Sequence, residues 1–392
     1  MVPEVNIGTL GHVDHGKSTL VQAITGKWPA VHSEELKRGI TIKLGYADAS
    51  IYKCPKCGGY YTTDKCPKCM EPAELQRTVS FVDAPGHETL MATVLAGASL
   101  MDGVLLIIAA NEKCPQPQTK EHLMVLDIVG IKNIIIVQTK IDLVTQERAM
   151  EHYNEIKNFV KGTVAEHAPI MPVSAQKGVN ISELLALMQE KIPTPERDSA
   201  KAPKMFIVRS FDVNKPGTEV KGIRGGILGG SLIRGVLKIG DEIEIKPGMN
   251  IKGKWETIKT KVIGLQKAGL DMTEAGPGGL LGVLTDLDPS LTKSDSLGGN
   301  ILGRELPDIH SKLVLKVNFF TRLVDPENVK PIKEDDQLML NVGSARTVGV
   351  VTSVKKGISM DLKIPICADK GDRVVVSRLI ADRWRLIGWS TI

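Results

Sequence analysis

The chain has 392 residues, 42% of them apolar and 4% aromatic, with a net charge of +5. That length allows two or three domains with proper cores, while so few aromatics argue against base stacking as the main binding device. The longest apolar runs, such as "VLLIIAA", fall far short of a membrane span, and "MVPEVNIGTL" lacks the segments of a secretory leader, so a cytoplasmic protein with no membrane partner is expected.

Residues 1–200 alternate between two textures. Apolar runs ("VNIGTL", "TVSFVDA", "GVLLIIAA", "NIIIVQ", "IMPVS") read as strands. Between them "STLVQAIT", "QTKEHLMVLDIV", "ERAMEHYNEIKNFVKGTVAEH" and "ISELLALMQEKI" read as helices. This alternation predicts an α/β domain with a doubly wound, mostly parallel sheet, whose ligands sit at the C-terminal strand ends. "IPTPERDSAKAP", 192–203, reads as a linker. Beyond it, short alternating strands punctuated by glycine pairs predict two small all-β barrel domains, 204–303 and 309–392, parted near "GRELPDIH".

"GHVDHGKS", 11–18, fits G-x-x-x-x-G-K-[ST] after a strand and before a helix. Glycines there let several N–H groups, from Val13 through Asp14, His15, Gly16 and Lys17 to Ser18 and Thr19, point at phosphate, and the helix N-terminus adds positive potential. Lys17 would reach the β and γ phosphates and the Ser18 hydroxyl would ligate Mg²⁺. "FVDAPGH", 81–87, ends another strand. Asp83 is placed for the same Mg²⁺ and Gly86 for an N–H to the γ-phosphate. In "RGITI", 38–42, Thr41 would lend a hydroxyl to Mg²⁺ while the γ-phosphate remains. Asp14, with the Gly39 carbonyl, is a candidate pair for a second Mg²⁺.

Base choice is assigned to "TKID", 139–142, with Thr139, Lys140 and Asp142, and to "SAQ", 174–176, with Ser174, Ala175 and Gln176. The Asp142 carboxylate can accept from guanine N1 and its amino group, which adenine does not match. A backbone N–H near Ala175 suits O6. GTP and GDP are therefore the expected ligands.

Two "CPKC" knuckles supply Cys54, Cys57, Cys66 and Cys69, inside an insert spanning 53–77. Four thiolates in this pattern make a closed tetrahedral Zn²⁺ site with a structural role; rubredoxin-like iron is the alternative. The insert falls between the two expected switch segments, suggesting that it steadies them or docks a partner.

These stations and the trailing β domains resemble the translational GTPases of the elongation factor Tu type, over nearly the whole chain. The cysteine insert and "KGIRGGILGGSL", 221–232, make it most similar to the gamma-subunit family of archaeal translation initiation factor 2. The resemblance implies GTP hydrolysis with His87 orienting the water, screened by Val13 and Ile40. It also implies methionylated initiator tRNA as cargo, alpha and beta partner subunits, and delivery to the small ribosomal subunit. The charge of residues 204–392, 29 Lys and Arg against 22 Asp and Glu, fits phosphate contacts and equally a solvated basic surface. One departure stands out: Thr139 occupies a position where such GTPases carry Asn, which predicts a weakened hydrogen bond to the base. Other readings are an elongation-type or selenocysteine-specific carrier, a sulfate-activating GTPase subunit, or a scaffold that binds GTP without hydrolysing it.

Overall fold

The computed structural model describes residues 2–29, 41, 43–87, 90–215, 217–320, 331–380 and 383–392. It divides into two compact units, Met1–Pro195 and Glu196–Ile392.

The first unit is built on strands β1 (Val5–Gly11), β2 (Gly45–Lys53), β3 (Tyr60–Tyr61), β4 (Glu74–Asp83), β5 (Gly103–Ala109), β6 (Ile134–Thr139) and β7 (Ile170–Pro172). Their order is β3-β2-β4-β1-β5-β6-β7, with β2 and β3 antiparallel and the rest parallel. Helices α1 (Lys17–Thr25), α2 (Met91–Ala98), α3 (Pro117–Val129), α4 (Gln146–Val160) and α5 (Ile181–Lys191) flank the sheet. Every residue of β1, β5 and β6 is buried, as expected for strands covered on both faces. Leu20, Val21 and Ile24 of α1 and Leu184, Leu185 and Met188 of α5 close one face over Ile7, Phe81 and Ile107.

Strands β2 and β3 and helix α2 were absent from the sequence-based expectation; β3 is only two residues long. Strand β2, between β3 and β4, alternates buried and half-buried positions, but its Gly, Ala, Asp and Ser content hides that period. Helix α2 ("MATVLAGA") is nearly all apolar and shows no amphipathic face. The long helical run expected from 147 to 167 stops at Val160, just before Gly162, which has a φ of 71°.

In the second unit, β8 (Lys204–Phe211), β9 (Ile227–Arg234), β11 (Glu242–Ile251), β12 (Lys254–Lys267), β13 (Leu270–Met272), β15 (Leu281–Thr285) and β16 (Ile301–Gly303) form an antiparallel sheet, which β11 pairing with β12 closes into a barrel. The short strands β10 (Leu237–Lys238) and β14 (Glu274–Ala275) pair beside it. A second antiparallel sheet contains β17 (Ile309–Leu315), β18 (Asn318–Phe319), β19 (Gln337–Val342), β20 (Ala345–Ser353), β21 (Ile358–Cys367), β22 (Arg373–Ile380) and β23 (Arg383–Thr391). Each sheet encloses its own apolar cluster. Lys204, at the start of β8 and only 3% exposed, ties the two together: its Nζ lies 2.6 Å from Asp369 and 5.6 Å above the Phe206 ring.

Candidate functional site

Strand register brings Gly11, Asp83, Ala109 and Thr139 to one edge of the parallel sheet: Thr9 pairs with Asp83, Gly11 with Ile107, and Ala109 with Thr139. The chain leaves β1 through a loop whose two end glycines are structurally required. A Cβ on Gly11 would meet the Ile107 carbonyl at 2.2 Å, and Gly16 has a φ of 85°. Asp14, exposed at the loop's apex, is also left-handed at 59°.

Lys17 opens α1 nearly buried, with its Nζ donating to the His12 carbonyl at 2.6 Å. Burial pushes this ammonium down to about 8, against the opposing pull of Asp83 and Asp14. Gly86 closes over the same place: a Cβ there would lie 2.5 Å from Lys17 Nζ and 2.8 Å from the Val13 nitrogen. The turn after β4 is therefore pressed onto the phosphate loop. His87 follows as an exposed residue.

Three hydroxyls gather on Asp83. Ser18 Oγ donates to Oδ2 at 2.6 Å, Thr41 Oγ1 to Oδ2 at 3.4 Å, and Thr9 Oγ1 to Oδ1 at 2.6 Å. Ser18 and Thr41 lie 3.1 Å apart. Burial raises the carboxyl of Asp83, while the hydrogen bonds from Ser18 and Thr9 hold it back. Hard oxygens from Ser18, Thr41 and Asp83 converging at one point fit the donor chemistry of Mg²⁺. Thr9 is a supporting residue that the sequence did not single out. Gly39 and Ile40 lie outside the described residues, so the expected second cation pair and the Val13–Ile40 screen do too.

At the base end, a cavity of about 180 Å³ is lined by Gly16, Thr19, Thr139, Lys140, Asp142, Leu143, Ala175 and Gln176. Two segments far apart in sequence thus meet the phosphate loop. Leu143, 62% exposed, was not foreseen; its only signal was adjacency to Asp142. Ser174 does not line this cavity; its Oγ accepts the Lys177 N–H at 3.3 Å and so shapes the "SAQ" turn. Thr139 Oγ1 donates to the His15 carbonyl at 2.7 Å, so the brace on the phosphate loop is kept although the residue is short.

His15 is held at its ring as well. Its Nδ1 lies 3.1 Å from the Ile107 carbonyl, which can only accept, so Nδ1 carries a proton. Nε2 lies 3.3 Å from the Glu112 carboxylate. Burial pushes the imidazole down to about 4.

His122, on α3, accepts the Gly11 N–H at Nδ1 over 2.8 Å. Burial, aided by Lys17 and two neighbouring histidines, pushes it down to about 3 from 6.5. The folded value lies below the unfolded one, so stability is full above about pH 6.5 and drains as pH falls toward 3. Between pH 6.5 and 5 that amounts to roughly 2 kcal/mol. His122→Leu should abolish this acid sensitivity while costing roughly 1–3 kcal/mol at pH 8, because the Gly11 N–H loses its acceptor. Urea unfolding of both proteins at pH 8 and pH 5 checks this; a gap between them that does not narrow at pH 5 refutes it.

The four cysteines form a second centre. Their sulfurs all lie within 4.8 Å of one another, with Cys54–Cys69 at 3.4 Å, Cys57–Cys66 at 3.6 Å and Cys66–Cys69 at 3.3 Å. Tetrahedral bonds of about 2.3 Å to zinc would space sulfurs about 3.8 Å apart, so the set fits. The two knuckles repeat one turn: Gly58 N–H bonds the Cys54 carbonyl and Met70 N–H the Cys66 carbonyl, both at 2.9 Å. The insert is not beside the Mg²⁺ oxygens. It hangs from the Glu74 end of β4, nine strand rises or about 30 Å from Asp83. Sequence adjacency to the switches had suggested otherwise. Its nearest anchor is α5, where Ser182 Oγ accepts the Tyr60 N–H at 3.1 Å.

Comparison with known proteins agrees with this architecture. The family model described as elongation factor Tu GTP binding domain matches residues 3–194, and that described as initiation factor eIF2 gamma, C terminal, matches 311–392. Translation initiation factor 2 subunit gamma from Methanocaldococcus jannaschii is 55% identical over 99% of this chain and 97% of its own. The same-named protein of Pyrococcus horikoshii is 56% identical at the same coverage. The chain belongs to the translation initiation factor 2 gamma family. It is accordingly a translational GTPase, and the family separates it from the elongation-type and selenocysteine-specific readings. A bacterial selenocysteine-specific elongation factor superposes with a TM-score of 0.75 at 26% identity, over 99% of this chain and 58% of that one. The Methanococcus maripaludis elongation factor SelB, in complex with a GTP analogue, gives 0.73 at 23% identity and shares the fold. No helix among the described residues is long and apolar enough to cross a membrane.

Proposed function

We propose that this GTPase of the initiation factor 2 gamma family binds Mg²⁺–GTP along the sheet edge and carries methionylated initiator tRNA to the small ribosomal subunit. It would work in the cytoplasm with alpha and beta subunits and release the tRNA after hydrolysis. The observation that carries this reading is the convergence of Ser18, Thr41 and Asp83 oxygens beside Lys17 and Gly86, with the guanine-sized cavity one loop away.

In this reading Lys17 leaves the His12 carbonyl for the β and γ phosphates. Ser18, Thr41 and Asp83 would hold Mg²⁺, which when bound would offset phosphate charge. Backbone N–H groups from Val13 to Thr19, and that of Gly86, take phosphate oxygens. Asp142 accepts from guanine N1 and N2, and the Ala175 N–H serves O6. Lys140, left-handed at a φ of 57°, and Gln176 line the base. His87 orients the attacking water; the new O–P bond forms as the bond to the β-phosphate breaks, leaving GDP and phosphate. Thr41 would help Ser18 and Asp83 hold the cation, and loss of the γ-phosphate would loosen this segment and so signal hydrolysis to the domains at 204–303 and 309–392, where the tRNA is held in part. The zinc insert, 53–77 within the nucleotide domain 1–200, is structural.

Filter binding tests the cargo. The protein with its alpha and beta subunits is offered initiator or elongator methionyl-tRNA in GTP or GDP. Retention of initiator tRNA at least tenfold tighter with GTP is expected; equal retention in GDP would sink the switch.

A further inference from the structure

Thr139 lines the base cavity and is 2% exposed. Its hydroxyl owns one hydrogen, which goes to the His15 carbonyl at 2.7 Å. A carbonyl only accepts, so the direction of that bond is fixed. The Thr139 oxygen then offers lone pairs alone to anything else it meets. Guanine presents hydrogen-bond donors at N1 and its amino group, and acceptors at O6 and N7. Asp142 matches the two donors and the Ala175 N–H matches O6, which leaves N7 in need of a donor.

We infer that Thr139 braces the phosphate loop without reading N7, so that this chain does not distinguish guanine from a 7-deaza base, in which a C–H replaces that nitrogen. The inference rests on the guanine site proposed above. An asparagine at 139 differs in hydrogen count: its amide carries two N–H hydrogens, one for the His15 carbonyl and one for N7. Position 139 therefore sets how many edges of the base are read, while the brace is common to both side chains.

Calorimetric titration of the purified chain with GDP and with 7-deaza-GDP, in Mg²⁺, tests this. The wild-type protein should bind both within about twofold, the range left when no hydrogen bond is at stake. Thr139→Asn should prefer GDP by roughly fivefold to tenfold, the size of one recovered hydrogen bond. Thr139→Val, which loses the brace, should weaken both ligands to the same degree. A wild-type preference for GDP of fivefold or more overturns the inference, as does a Thr139→Asn protein that binds both alike. Should Thr139→Asn not fold, the wild-type pair still decides. Failure of both nucleotides to bind would instead overturn the guanine-site reading.

Discussion

Lys17→Met should raise the Kd for GDP by about two to four decades while the free protein melts within a few degrees of wild type. The side chain is 6% exposed, and its one hydrogen bond in the free protein goes to the His12 carbonyl. A buried ammonium with no carboxylate in hydrogen-bonding contact is costly, which is why burial depresses it to about 8. Phosphate would replace a neutral acceptor with charged ones. Two charge-assisted bonds of about 1.5–3 kcal/mol each give on the order of 3–6 kcal/mol of binding. Methionine fills the same volume without the charge, so the fold loses little and the binding loses nearly all of that sum. Nucleotide titration beside a melting curve separates the two effects. Wild-type affinity in a folded Lys17→Met protein would remove Lys17 from the phosphate site.

How much of this was open to reading depends on whether a residue acts through its neighbours in sequence or across the fold. Gly11, Gly16 and Lys17 were legible because a tight strand-to-helix turn fixes both residue type and spacing locally. Asp83 was legible as a strand end, but its support from Thr9 was not: that contact spans 74 positions and exists only because β1 and β4 lie in register. Thr139 looked like a loss of one hydrogen bond. Its bond to the His15 carbonyl, 124 positions away, shows that the bracing half of the role survives. His122 gave no sign either, since an imidazole that accepts a phosphate-loop N–H looks the same in sequence as one on a helix surface. Lys204 is the counterpart in the second unit, where a lysine that reads as surface charge is buried against Asp369. The cysteine insert failed differently. Its ligands were legible and its place was not, because a ten-residue strand carries the chain away from the switch it adjoins in sequence.

That distance yields the second large effect. Chelation of the proposed zinc, or Cys66→Ser, should unfold residues 54–73 and open them to protease while GDP affinity changes less than about threefold. The insert has little else to hold it. Cys54 and Cys66 are buried, but the strand it contains, β3, is two residues long, and an exposed ion pair of Lys56 with Glu71 adds at most about 1 kcal/mol. Four sulfurs within 4.8 Å of one another would repel as thiolates without a cation. Structural zinc contributes on the order of 10 kcal/mol to such sites, far more than the local contacts can replace. One route could carry the damage to the nucleotide: Tyr60 bonds Ser182 on α5, and α5 follows the "SAQ" turn. That hydrogen bond, about 1 kcal/mol, and the packing of Tyr60 against the same core are outweighed by Leu184, Leu185 and Met188, whose burial fixes that helix without the insert. Metal stoichiometry, limited proteolysis and GDP titration on the same sample settle the balance. A tenfold loss of GDP affinity on chelation would mean that α5 depends on the insert, and that the two centres are coupled through the helix rather than separated by the strand.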